Sequence, residues 1–463
     1  MNRSCMIGWS KTFIIGLIFS TFLNISCTDT LIEDIKAKII RDESSDTRLS
    51  NLEITTGNMY PVFTSNTTRY FVLLDSEYDA TKVSATVNYP DASVEVNGTA
   101  VASGSLSGTI NLNHGANTIN VKVTASNGSD TRSYVISVCR ATVDIPKTGQ
   151  TASYLTGDDG DLEKGYPRPI VRFTEDTGTV SDSLTGLMWV QTPNSTNRTW
   201  SNAITYAEGL TVNFHNDWRM PNRNELRSLF NYQTANPADW LNSQEFSGVQ
   251  NTHYWMSTTC RPLTERCWAV YMFTGYFDFF PKTFDRPVFA VRDSGSPGVI
   301  SLPKTGQTVS HTDYDDGYYE AGVAWPTPRF TDNGNGTITD NLTALMWERV
   351  PSDSNVDWSN AITDANSLTL AGFSDWHLPN INELESLYNA GEDDLKTWLE
   401  SENFELPTTI GLFWTSTTYA PNSSEAWFIQ MSSNWQNGYI YHTGKSSPGV
   451  FGPAHGWAVR SGR

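Results

Sequence analysis

The hexapeptide PKTGQT occurs twice, at 146–151 and at 303–308, and a series of shared segments runs after each occurrence in the same order. RFT at 172–174 returns at 329–331, SDSLTGLMW (181–189) returns as TDNLTALMW (339–347), and WSNAIT (200–205) returns unchanged at 358–363. DWRMPNRNEL (217–226) matches DWHLPNINEL (375–384), YWMSTT (254–259) matches FWTSTT (413–418), and AVR closes both series at 290–292 and 458–460. The offset drifts only from 157 to 168. The chain therefore holds two complete copies of about 155 residues each, too long to be solenoid repeats. With 463 residues it also exceeds one ordinary core.

Each copy carries two helix signals. Thr199 and Asp357 precede WSNAIT segments with Ala203, Ile204 and Ala207 on one face of the first. Asn222 and Asn380 precede Glu225 and Glu383 by three residues, the spacing of a capping box. Only strand and turn signals come after them, so each copy reads as a hairpin, two helices and an antiparallel sheet. Trp189, Trp218, Trp347 and Trp376 recur at fixed places and read as core. Upstream, residues 49–141 alternate in short strands, such as Ile119, Val121, Val123 and Ala125, with Asn97-Gly98 and Asn127-Gly128 as turns. That pattern predicts a β-sandwich. The fold class expected is multidomain: an all-β sandwich (49–141) followed by two α+β domains, 142–297 and 298–463.

The first unit, from LSNLEITTG to YVISVCR, resembles the cadherin-like β-sandwich family of bacterial surface proteins. The resemblance implies a spacer and no catalytic residue. The series PKTGQT, RFT, TDNLTALMW, WSNAIT, DWxxPNxNEL, WxSTT and AVR resembles the Lcl C-terminal domain family, found in bacterial surface and exported proteins. WRMP before a Glu-bearing helix is similar to a segment of formylglycine-generating enzymes, and the Trp-x-x-Ala helix to one of C-type lectins. Both imply a C-type-lectin-like fold.

The N-terminus reads as an address. Arg3 and Lys11 precede a 12-residue apolar run, 12–23, too short to span a membrane. Asn24-Ile25-Ser26-Cys27 resembles a lipobox, with Asn24 where Leu is usual. Residues 1–26 are expected to be a lipoprotein signal, Cys27 the lipidated residue, and 27–48 a polar tether, which places the chain at the bacterial outer membrane. Export favours a disulfide between Cys260 and Cys267, which have six residues between them and strand-like segments on either side. Cys139 reads as a buried thiol.

Net charge is −19, which argues against a nucleic-acid partner. No nucleophile motif, phosphate loop, HxH or HExxH occurs. The formylglycine chemistry needs a cysteine pair near the domain's end, and the second copy has no Cys. No cofactor is expected. Calcium is the one candidate cation, at the acidic loops of Asp313, Asp315 and Asp316 and of Asp332. The copies diverge most at 271–289 and 429–457, rich in aromatic and amide residues suited to recognition. Tyr276, Phe277, Phe279, Lys282, Trp435, Asn437, Tyr439 and Tyr441 are therefore candidate ligand contacts. The first copy has net charge −4 and the second −13. Arg219, Arg223 and Arg227 belong to the first, and Arg223 and Arg227 are i,i+4 on one helix face. The Lcl resemblance implies sulfated glycosaminoglycan binding as one option, which these arginines suit; the alternative is that they pair with nearby acids such as Glu225 and Asp217. The function expected is that of a non-enzymatic, surface-exposed, adhesin-like lipoprotein binding an extracellular protein or glycan. The alternative is a structural envelope component that binds peptidoglycan or another envelope protein.

Overall fold

A computed structural model describes residues 33–34, 36, 38, 44–352, 354–408, 411–431, 438–446 and 454–462. The proposed signal, Cys27, most of the tether, Trp435 and Asn437 lie outside these residues. No helix among the described residues is long and apolar enough to cross a membrane.

Residues 49–141 form the sandwich. One sheet runs in the order Arg69–Leu74, Thr131–Arg140, Gly115–Thr124, Ser93–Val96, Thr99–Val101. Against it lies the pair Leu49–Ile54 and Val83–Val87. The alternating residues of both sheets, among them Leu52, Val72, Val83, Ala85, Ile119, Val121 and Ile136, close one core. Asn97 and Gly98 have φ of 49° and 80°, which turns Ser93–Val96 into Thr99–Val101. Cys139 is a buried free thiol.

In each Lcl-like copy a hairpin leads, and the closing AVR strand returns to it. Phe173–Asp176, Thr179–Asp182, Leu187–Val190 and Val291–Asp293 form one sheet, and Phe330–Asp332, Thr337–Asp340, Leu345–Glu348 and Val459–Arg460 its counterpart. The helices Trp200–Glu208 and Trp358–Ser367 bury Trp200, Ala203, Ile204 and Ala207 and their equivalents. Both capping boxes form, in helices Arg223–Ser228 and Ile381–Glu385. Asp357 caps its helix through its side chain, whereas Thr199 makes no side-chain cap bond. Trp189, Trp218, Trp347 and Trp376 are buried. Each copy has two further short helices that the sequence pattern did not announce: Asp159–Leu162 and Pro237–Asn242 in the first, capped by Asp158 and Asn236, and Asp316–Tyr319 and Leu395–Ser401 in the second, capped by Asp315 and Asp394.

The two copies are not separate beads. His253–Thr259, Arg266–Tyr271 and Tyr276–Pro281 of the first join Ile440–Gly444, Glu425–Gln430 and Leu412–Thr418 of the second in one seven-stranded sheet, which Ala454–His455 completes. The seam is the antiparallel pair Phe277 and Ile440, equivalent residues in the two copies, so the joint is pseudo-two-fold. The leading arms are exchanged across it. The Gln150 side-chain amide donates to the Thr418 carbonyl at 2.9 Å and its oxygen accepts from the Thr418 N–H at 2.9 Å. Gln307 accepts from the Thr259 N–H at 2.8 Å. Asp159 Oδ2 accepts from Thr148 and Thr417, each at 2.7 Å, and Asp316 Oδ2 from Thr305 at 2.7 Å and Thr258 at 2.6 Å. Each PKTGQT arm thus ties its own acidic loop to the Ser-Thr-Thr strand of the other copy.

The expected disulfide is absent: Cys260 and Cys267 are free, buried thiols. Thr259 is the residue that pairs with Cys267, and the Cys260 N–H bonds to the Arg266 carbonyl. The two cysteines are therefore offset by one residue and point to opposite faces of the hairpin. Burial pushes the Cys260 thiol up to about 12 and Cys267 well above its usual range.

Candidate functional site

The exposed-arginine surface expected from the sequence does not exist. Arg219 is buried and makes a double hydrogen bond to the Glu225 carboxylate of the capping box, at 2.5 and 2.6 Å. Arg223 is fully buried; its Nε meets Glu385 of the other copy at 2.8 Å and its Nη2 donates to the Gly438 carbonyl at 2.6 Å. Its guanidinium lies 4.1 Å from the Trp268 ring centroid and 4.2 Å from that of Tyr388. Arg227 donates to Asn382 Oδ1 at 3.2 Å. The i,i+4 face that Arg223 and Arg227 share faces the joint, where Arg223 is paired with the Glu385 carboxylate of copy two and Arg227 meets the neutral Asn382. Asp217 pairs with Arg292.

The calcium loops are also structural. Asp315 is buried and caps its helix by accepting from the Tyr318 N–H, and it accepts from the His311 N–H as well. Asp316 accepts from the hydroxyls of Thr305 and Thr258. Asp332 accepts from the Gly334 N–H and closes its turn. Asp313 is exposed, apart from them. Among the described residues, no group of three or more His, Cys, Asp or Glu is placed to hold a metal.

Lys282 and Lys445 are equivalent, which the drifting offset between the copies hides in the sequence. Lys282 donates to Thr259 Oγ1 at 2.9 Å and lies over Trp200 at 4.0 Å. Lys445 donates to Thr418 Oγ1 at 2.8 Å and lies over Trp358 at 3.7 Å. Lys282 is thus part of the scaffold. Phe277 and Phe279 are core residues, not contacts, because the period-two strand turns them inward.

Three candidates do meet at the seam. Tyr276 and Tyr441 are half-buried, Tyr439 is buried, and Tyr276 lies 4.9 Å from Tyr441 by ring centroids. The Tyr276 hydroxyl is 2.6 Å from His442 Nε2, and His442 Nδ1 meets the Glu425 carboxylate. Tyr419 and Trp427 wall the imidazole. Burial pulls His442 down while Glu425 opposes it, and burial raises Tyr276, Tyr441 and Asp278. A carboxylate, an imidazole and a phenol in line can share a proton and present one hydroxyl. Copy one carries Arg266 where copy two has Glu425, so the line is built once, from both copies. The aromatic composition of the segments points to Tyr276 and Tyr441 but gives no signal for His442, which stands in a divergent stretch without a motif. The cavity between the copies beneath the helices measures about 40 Å³, room for water and not for a ligand.

The Lcl C-terminal domain family matches residues 178–292 and 336–460, just over half of the chain. The chain belongs to that family. The cadherin-like β-sandwich domain matches residues 49–141. A protein of Evansella cellulosilytica named "Putative membrane protein" is 29% identical over 117 residues, 25% of this chain and 18% of that protein. This Lcl-family chain therefore spans less than a fifth of that relative's length. A crystal structure of "a putative glycoside hydrolase" from Bacteroides thetaiotaomicron is 19% identical, covering 26% of this chain and 34% of that one. Its TM-score of 0.15 carries no argument.

Proposed function

We propose that the protein is a non-enzymatic, surface-exposed lipoprotein of adhesin type, anchored at the outer membrane through Cys27 and binding an extracellular protein or glycan. The cadherin-like sandwich would hold the two Lcl domains away from the membrane. We read each copy as a C-type-lectin-like unit, on the strength of two helices, the second closed by a capping box, ahead of an antiparallel sheet that leaves its loops to vary. One observation carries the binding role. The copies keep the same capping boxes, the same buried tryptophans and the same lysine–threonine pairs, yet differ at the half-buried and exposed places over the seam and on the acidic loops. A scaffold repeated at the core and varied at the surface suits recognition. Protease treatment of intact cells, followed by array binding of the full chain to host, matrix and glycan ligands, tests this. Cleavage on intact cells with a specific array signal supports it. Protection on intact cells, with binding to peptidoglycan alone, would make it an envelope component.

A further inference from the structure

Two acidic loops, one per copy, have the same backbone and different surfaces. In the first, Asp158 caps Asp159–Leu162 and Glu163 ends it at φ 43°, ψ 45°. In the second, Asp315 caps Asp316–Tyr319 and Glu320 ends it at φ 46°, ψ 44°. The buried bonds agree: Asp161 and Tyr318 N–H to their caps, Glu163 and Glu320 N–H to the Asp159 and Asp316 carbonyls. Lys147 to Glu163 and Lys304 to Glu320 are the same ion pair. The fold is complete in copy one with Gly157, Asp161 and Leu162. Copy two puts Tyr314, Tyr318 and Tyr319 at those places.

These three rings pack on one another, with centroids 5.1, 5.3 and 6.2 Å apart, yet stay 42%, 52% and 38% exposed. Tyr314 holds φ +69°, where copy one uses Gly157 at +86°. A bulky residue in the left-handed region is uncommon and is kept against local strain. The neighbours have changed to make room. In copy one a Cβ at Gly157 would sit 1.8 Å from the Asn366 amide nitrogen. Opposite the second loop the equivalent residue is Glu208, whose carboxylate accepts from the Tyr319 hydroxyl at 2.8 and 2.9 Å. Nothing in the scaffold requires this exchange, because the first loop does without it.

We propose that Tyr314, Tyr318 and Tyr319 form a binding surface for an uncharged saccharide. Exposed aromatic faces stack against the C–H faces of sugar rings at little rotamer cost, and tyrosine hydroxyls add hydrogen bonds. The rim selects against anions: Glu208 and exposed Asp313 border the rings, and Arg219 nearby is held by Glu225. The rings are too closely packed to enclose an ammonium group between them. The assignment deepens the ligand-binding role proposed above and rests on it.

The test is affinity electrophoresis of the purified full chain in native gels containing laminarin, galactomannan or xylan, with heparin gels and choline competition as comparators. At least one neutral polysaccharide should retard the chain. Tyr318→Ala, and Tyr314→Gly, which restores the unstrained residue of copy one, should each weaken that retardation at least ten-fold without lowering the thermal melt. Tyr318→Phe should keep most of it. No retardation by any neutral polysaccharide, retardation unchanged in the Tyr314→Gly, Tyr318→Ala double variant, or binding reversed by choline would each overturn the assignment. If the wild type and that double variant give equal array signals on another ligand, this surface fails while the wider binding role stands.

Discussion

Asp159 and Asp316 should make the joined copies less stable as pH rises toward neutrality. Each carboxyl is fully buried, and each has one oxygen, Oδ1, with no hydrogen-bond partner. Burial raises Asp159 from the usual 3.8 to about 7, opposed by the Thr417 and Thr148 hydroxyls and helped by the charges of Glu383 and Asp158. Burial raises Asp316 likewise to about 7. The folded state therefore holds these protons more tightly than the unfolded chain. That contribution is fully present below the unfolded value near 3.8 and is lost as pH climbs through about 7. The interval corresponds to ~4 kcal/mol per carboxyl as an order of magnitude. Asp159→Asn and Asp316→Asn keep the acceptor oxygen for both threonines and remove the charge. The double variant should be more stable than wild type at pH 8 by several kcal/mol, with the advantage vanishing near pH 4. The assay is urea unfolding followed by tryptophan fluorescence across that range, read as the difference between the two proteins so that other titrations cancel. A difference that does not change with pH, or a variant less stable at pH 8, would refute the reasoning.

Arg223→Met should cost ~3–5 kcal/mol by leaving Glu385 buried and unpaired, and Glu385→Gln added to it should recover part of that loss in denaturant melts. Cys139, Cys260 and Cys267 should be silent to a thiol reagent in the native protein, and all three should react in guanidinium without reductant. Wild-type cells should incorporate a fatty-acid analogue into the protein and Cys27→Ala cells should not; equal labelling would place the anchor elsewhere.

The features legible in the sequence are local or repeated. The Asn222–Glu225 and Asn380–Glu383 boxes, the core tryptophans and the sandwich alternation all follow from spacing alone. The arginines show where that stops. Spacing puts Arg223 and Arg227 on one face, but the carboxylate facing Arg223 lies 162 residues away, on a copy that the repeat pattern presents as a separate body. The acidic loops have the composition of oxygen ligands, although Asp315 and Asp316 serve as a cap and a clamp. The tyrosines beside them belong to no motif, and their meaning appears only when the two loop backbones are compared. Lys282 misleads for the converse reason: its twin, Lys445, lies in a stretch where the copies no longer align.

The exchanged arms and the shared sheet make the two copies one body, and a nick between them tests this most directly. A protease site placed at the exposed Gly295–Ser296 turn should be cut under native conditions. If the copies are one body, the two fragments will travel together through gel filtration and part only in denaturant. Separation into two folded fragments in native buffer would contradict the account.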